Sequence, residues 1–81
     1  MMYPRAYGNK GYSLAMLEFY AEAIEQYSQC LKLLPNAVDV LYLRGKSFLE
    51  QGNEEKACLD FKLSSKLGYE LANKYASLCE E

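Results

Sequence analysis

The sequence predicts an all-α fold of stacked antiparallel helix pairs, two repeats long and closed by a C-terminal capping helix. Three observations predict it. Apolar residues recur at spacings of three, four or seven, as in Val38, Leu41 and Phe48 and again in Leu59, Leu63 and Leu67; no alternating strand pattern lasts long enough to compete. Helix breakers sit at Pro35-Asn36, Gly52-Asn53 and Gly68-Tyr69. The chain also overlays on itself at an offset of 34 residues. Gly11 falls on Gly45, Ala23 on Ala57, Tyr27 on Phe61, Leu14 on Phe48, Ser13 on Ser47, Lys32 on Lys66 and Leu33 on Leu67. A second shift places Tyr75 under Leu41 and Tyr7, and Cys79 under Gly45 and Gly11.

The elements follow in order. A first helix over 5–17 carries Tyr7, Gly11 and Leu14. Its exit at Glu18-Phe19 has neither a glycine nor an N-cap residue, yet a turn near Leu17–Phe19 is expected because folding back buries Leu14 with Tyr27. The rival is one continuous helix, with the first segment exchanged between two chains. A second helix, 20–33, carries Ala23 and Tyr27 and stops before Pro35. Asn36, with Asp39 three residues on, is expected to cap a third helix over 38–51. Gly52 supplies the left-handed residue that ends it, and Asn53 caps a fourth helix, 54–67. Glu54 and Glu55 stand at that helix's positive end and Lys66 near its negative end. Gly68 ends it, and a fifth helix over 71–80 begins a third copy of the pattern.

Small residues recur where backbones must approach. Gly11 and Gly45 leave gaps on the first helix of each pair, and Ala23 and Ala57 on the second. Tyr7, Leu14 and Tyr27 fill the space around one contact; Leu41, Phe48 and Phe61 fill it around the other. A lone pair cannot bury both of its faces, so the pairs stack.

With 81 residues the chain makes one small domain, 1–81, with an ordinary 51% apolar and 25% charged composition. Nine basic against eleven acidic residues leave a net charge of −2, which argues against a nucleic-acid surface. No apolar run is long enough to cross a membrane, and MMYPRAYGNKGY lacks the apolar core of a signal peptide. A cytoplasmic location is the expectation. Cys30, Cys58 and Cys79 form no CxxC, and there is no histidine to complete a metal site, so neither metal nor cofactor is expected. The favoured reading is three reduced core cysteines; a Cys58–Cys79 disulfide between neighbouring helices is the alternative.

The repeat, with its small–bulky–small–bulky order twice in register and Pro35 near its end, resembles the tetratricopeptide repeat, a 34-residue helix–turn–helix module. The resemblance covers 4–37 as one repeat and 38–71 as a second, with 72–81 as the closing helix. KLGYELA resembles a variant ending in which Gly-Tyr replaces the proline. The resemblance implies a right-handed superhelix and a non-catalytic scaffold that holds a protein or peptide in a concave groove. Carried onto this chain, that groove face is Arg5, Tyr12, Met16, Asp39, Tyr42, Lys46 and Leu49, with Asn73 at the rim. Tyr12 and Tyr42 offer flat area with a polar tip; Arg5 and Lys46 suit a carboxylate, and Asp39 a base. Relatives that grip the free carboxylate of chaperone tails use Lys, Asn and Arg in this groove. The matching places here hold Gly8, Tyr12, Leu43, Asn73 and Ser77, so strong binding to such a tail is not expected.

Three other classes weigh less. Paired carboxylates at Glu54-Glu55 and Glu80-Glu81 stand at helix ends, and Cys30 has no histidine base, so an enzyme is not expected. No basic stripe with stacking aromatics supports nucleic-acid binding. Self-association draws on the apolar load of the first helix, which carries Tyr3, Tyr7, Tyr12, Leu14, Met16 and Leu17; a homodimer or a longer array would cover it.

Overall fold

A computed structural model of the chain describes residues 3–79. Five α-helices run Pro4–Met16 (α1), Tyr20–Leu33 (α2), Val38–Glu50 (α3), Glu54–Lys66 (α4) and Asn73–Leu78 (α5), and one 3-10 turn, Glu70–Ala72, leads into the last. The first four match the expected spans to within a residue at each end. The fifth opens as 3-10 because the Ala72 amide closes on the Tyr69 carbonyl three residues back. Glu80 and Glu81 lie outside the described residues.

Three helix ends are closed in the same way. Gly52 (φ +80°) and Gly68 (φ +104°) take the left-handed conformation, and Glu18 takes it without being glycine (φ +66°). At each, the left-handed residue and its successor bond back to carbonyls of the last turn: Gly52 to Leu49 and Asn53 to Phe48, Gly68 to Ser65 and Tyr69 to Ser64, Glu18 to Ala15 and Phe19 to Leu14. The chain therefore turns at Leu17–Phe19, and α1 folds back on α2 within the same molecule. Asn53 caps α4 as expected, its side-chain oxygen accepting from the Lys56 amide at 3.2 Å. Asn36 does not cap α3. The Ala37 amide bonds to the Leu34 carbonyl, so Asn36 sits inside a tight turn one residue too early, and Ala37 takes the capping position with no side-chain partner.

The helices pack in sequence, α1 on α2, α2 on α3, α3 on α4 and α4 on α5, into a slab of 42 × 24 × 16 Å. One core joins Ala23, Tyr27, Cys30, Leu31, Ala37, Val40 and Leu41, with Tyr7 and Leu14 against it. The next joins Ala57, Phe61 and Ala76, with Tyr42, Phe48 and Tyr75 around them. The glycine gaps are filled by rings: a methyl on Gly11 would lie 2.7 Å from a Tyr27 ring carbon, and one on Gly45 2.9 Å from a Phe61 ring carbon. Burial of each ring stabilises by roughly 2–3 kcal/mol.

On α4 the apolar period read from the sequence faces outward. Leu59, Leu63 and Leu67 are exposed, while Ala57, Asp60, Phe61 and Ser64 turn inward. Two polar residues could take the inner face because both are satisfied. Ser64 Oγ donates to the Val38 carbonyl at 2.8 Å. The Asp60 carboxylate accepts from Arg44 Nε and Nη2, both at 2.8 Å, while Arg44 Nη1 reaches Ser28 Oγ at 3.1 Å. One guanidinium thus ties α2, α3 and α4 together.

The cysteines depart from the favoured expectation. Cys58 and Cys79 form a disulfide, with Cα atoms 5.8 Å apart. Their separation of 21 residues gave little sign of it, but α5 runs back along α4, which brings the second turn of α4 opposite the residue that follows α5. That Cα spacing lies within the range a disulfide spans. Cys30 is free and buried, a small core residue at the position that Ser64 fills one repeat later.

Candidate functional site

The candidate surface lies along α1 and α3, where the equivalent residues Arg5 and Asp39 meet. Gly8 is buried where the helices meet: a methyl there would just touch Val40 Cγ2 at 3.4 Å and Cys30 Sγ at 3.5 Å, so only a small side chain fits without strain. Along the seam runs a cleft of about 300 Å³ lined by Arg5, Gly8, Asn9, Tyr12, Ser13, Asp39, Val40 and Leu43. A second, of about 210 Å³, is lined by Tyr12, Ala15, Met16, Tyr20, Tyr27, Leu43, Lys46, Ser47 and Glu50. Tyr12 and Leu43 line both, so the two clefts adjoin and together make a trough with Tyr12 at their junction.

The eight residues expected on this face are not equivalent. Tyr12 (51% exposed) and Met16 (67%) stand free on α1. Arg5 and Asp39, one repeat apart, are paired: Arg5 Nη1 donates to both carboxylate oxygens, at 3.1 and 2.9 Å. Asp39 also accepts from the Val40 amide. Neither charge is an idle hook for a ligand, although both are exposed enough that the pair stabilises by about 1 kcal/mol at most. Lys46 keeps its ammonium 5.5 Å from the Tyr42 ring centroid, with no carboxylate partner among the described residues.

Tyr42 is less available than its spacing suggests. Its ring packs among those of Phe61, Tyr69 and Tyr75, with centroids 6.1, 5.5 and 5.7 Å away. Burial raises its phenol above the ordinary tyrosine pKa; the Lys46 charge pulls the other way and Tyr75 adds to the rise. Leu49 lines a different cleft, of about 220 Å³, with Phe61, Tyr75, Leu78 and the disulfide. Asn73 uses its carboxamide oxygen to accept from Ser65 Oγ, across to α4. Arg5, Tyr12, Met16, Asp39 and Lys46 thus line the trough, while Tyr42, Leu49 and Asn73 lie outside it, toward α4 and α5.

Asn9 and Ser13 also line the trough and escaped the sequence reading. They lie one residue beyond Gly8 and Tyr12, so continuing the four-residue spacing from Arg5 to Asn9 and Ser13 would have found them. Of the places matched to the Lys, Asn and Arg set of chaperone-tail binders, Gly8 is buried and Leu43 half-buried, and Gly8, Tyr12, Leu43, Asn73 and Ser77 include no cation. No group of three or more Cys, Asp or Glu side chains among the described residues could hold a metal ion, and no helix is long and apolar enough to cross a membrane.

A search of curated proteins returned no match. A family model described as TPR repeat matches residues 11–52, just over half of the chain. The match runs from one small-residue helix contact, at Gly11, to the left-handed turn at Gly52 that closes α3, so it takes in the stacking of one helix pair on the next. TPR domains generally act as non-catalytic scaffolds and bind protein partners. With its helix pairs, its offset of 34 residues and its ring-filled glycine gaps, the chain belongs to the tetratricopeptide-repeat family.

Proposed function

We propose that the chain is a non-catalytic docking module that holds a peptide or protein segment in the trough between α1 and α3. In this reading 4–37 and 38–71 act as its two repeats and 72–81 as the closing helix of a single domain. The observation that carries it is Tyr12, half exposed and shared by both clefts, beside an unpaired Lys46. An exposed tyrosine gives contact area at low entropy cost, and aromatic residues dominate binding energy at interfaces. Arg5 and Asp39 shape one end of the trough as a pair; Met16 extends the other. Tyr42, Leu49 and Asn73 continue the surface toward α5. Protein rather than nucleic acid suits an acidic chain; the cytoplasmic setting expected from the sequence would keep Cys58 and Cys79 reduced, so their disulfide counts against it.

The test compares wild type with Tyr12→Ala/Lys46→Ala in parallel pull-downs, with helicity checked by circular dichroism. Tyr42 is left in place because its ring is packed against Phe61 and Tyr75. A set of proteins lost only from the folded variant is expected. Identical captures would remove the trough as the binding surface.

A second reading rests on Met16, Leu17 and Phe19, which stay exposed at the end of α1 and its turn. They would be covered in a homodimer. Sedimentation velocity across concentrations distinguishes the two: a monomer at high concentration discards the dimer and leaves the trough.

A further inference from the structure

A second surface lies apart from the trough, and the internal repeat reveals it. The outer faces of α2 and α4 occupy equivalent positions and should be equally polar. They are not. Glu22, Glu25, Ser28 and Gln29 on α2 correspond to Lys56, Leu59, Lys62 and Leu63 on α4. One acid has become a base, one hydroxyl a second base, and two polar residues leucines. None of these replacements serves the core. Leu59 is 65% exposed, and Leu63 and Leu67 are each 41% exposed. Their spacing of four residues makes one stripe along the helix. Lys62 and Lys66 share that face, and none of Lys56, Lys62 and Lys66 has an ion-pair partner among the described residues.

Beside the stripe lies an open cleft of about 450 Å³ between α2 and α4. Ile24, Phe48 and Leu59 give it an apolar lining, and Lys56 stands at its edge with its ammonium 5.8 Å from the Phe48 ring centroid. Its other charges, Arg44 and Asp60, neutralise each other, and on the outer face the three lysines outnumber the one acid of the stripe, Glu55, so the α4 bank remains basic.

We propose that the outer face of α4 docks an amphipathic helix of another protein, one whose apolar residues at i and i+4 are flanked by Asp or Glu. The leucine spacing matches one helical pitch, so a helix laid alongside can place its own i, i+4 side chains on Leu59 and Leu63 and a bulky residue in the cleft. The three lysines then meet the acidic flank, which sets the orientation and speeds encounter. A second copy of this chain fits less well: its acidic outer helix, α2, carries Glu25 and Gln29 where an apolar stripe is needed.

The probe is a synthetic helical peptide with leucines at i, i+4 and i+8 flanked by glutamates, beside a version with lysines for the glutamates. Two variants are compared with wild type by NMR titration: Leu59→Glu/Leu63→Gln, which restores the residues of α2, and Lys62→Glu/Lys66→Glu. All four side chains are exposed, and circular dichroism checks the fold. Expected are saturable shifts along α4 for the glutamate peptide, weakening with salt and at least tenfold weaker binding to the leucine variant. The lysine variant should prefer the lysine peptide. Shifts confined to the trough around Tyr12, equal affinity of all proteins, or no saturation by about 1 mM peptide would each overturn the proposal. So would concentration-dependent self-association of wild type that the leucine variant abolishes, since the occupant would then be a second copy.

Discussion

Glu18 is the residue at which the chain departs most from its own local preferences. It holds a left-handed φ of +66° at a helix end that its two counterparts close with glycine. A side chain in that conformation costs about 1–2 kcal/mol, because its Cβ crowds the following carbonyl. Glu18→Gly relieves that crowding but gives a more flexible unfolded chain, so a net gain of about 1 kcal/mol is expected, or a rise in Tm of roughly 4–8 °C. The reverse change, Gly52→Ala, should lose about the same amount. Nothing lies within 4 Å of a Cβ built at Gly52, so the loss would be purely conformational. Opposite signs in thermal melts are the check; like signs would mean that the turns are not equivalent. Tyr27 makes a different statement. It is fully buried, and burial, aided by the Tyr12 phenol, pushes its pKa up to about 12 from an ordinary 10. The folded state then binds the proton more tightly than the unfolded state. Its contribution is whole below pH 10 and fades as the pH rises from 10 to 12, by roughly 2–3 kcal/mol. Tyr27→Phe should flatten the stability curve in that window; an unchanged alkaline slope would assign the loss to other groups.

At the scale of the helix, position along a face decides what a residue does. Gly45→Leu would drive a branched side chain into the Phe61 ring, and the Ala57 carbonyl behind it, 3.3 Å from the added Cβ, cannot step aside. A loss of about 3 kcal/mol is expected in urea unfolding, out of a total of roughly 4–12 kcal/mol for a chain of this length. Lys46→Leu, one residue on and exposed, should stay within about 0.5 kcal/mol. Such contacts were legible in the sequence because a glycine opposite an alanine, repeated at a fixed offset, has few other uses. Asn53 and Gly52 were legible because capping is a local code. Asn36 was not: the tight turn that spans Leu34 to Ala37 uses it before α3 begins. On α4 two signals stood in the sequence: Ala57 and Phe61 marked the inner face, as found, whereas Leu59, Leu63 and Leu67 keep an equally regular helical period on the outer side. What turned the helix was the fit of Phe61 into the Gly45 gap and the bidentate bond between Asp60 and Arg44, sixteen residues apart. Long-range pairing of this kind leaves no periodic trace. For the trough, Tyr12 and Lys46 came from the family resemblance carried onto this chain, and both line the clefts between α1 and α3. The pairing of Arg5 with Asp39 and the packing of Tyr42 under two further tyrosines could not be read that way, since both depend on how closely successive helices approach.

For the molecule as a whole, the weak end is the last one. The inner pairs are each held by neighbours, whereas α5 has six residues, rests on α4 and is preceded only by a 3-10 turn. An isolated helix of that length does not form in water, so α5 depends on docking. Two features supply it. Tyr75 stacks on Phe61, with centroids 4.7 Å apart and ring planes at 23°. The Cys58–Cys79 bond then closes the chain between α4 and the end of α5, restricting the unfolded state by about 3 kcal/mol for a loop of this size. Because neighbouring pairs stabilise each other, loosening α5 also uncovers Tyr42 and Phe61 and so weakens α3 and α4. Cys58→Ala/Cys79→Ala should therefore lower the urea midpoint of the oxidised protein. A reductant should bring wild type down to the level of the variant and leave the variant unmoved. Hydrogen exchange should locate the first loss of protection in Asn73–Leu78, spreading to α4 before α1 and α2. If reduction lowered the stability of the variant as well, or if protection fell first in α1, the disulfide would not be what secures this end of the stack.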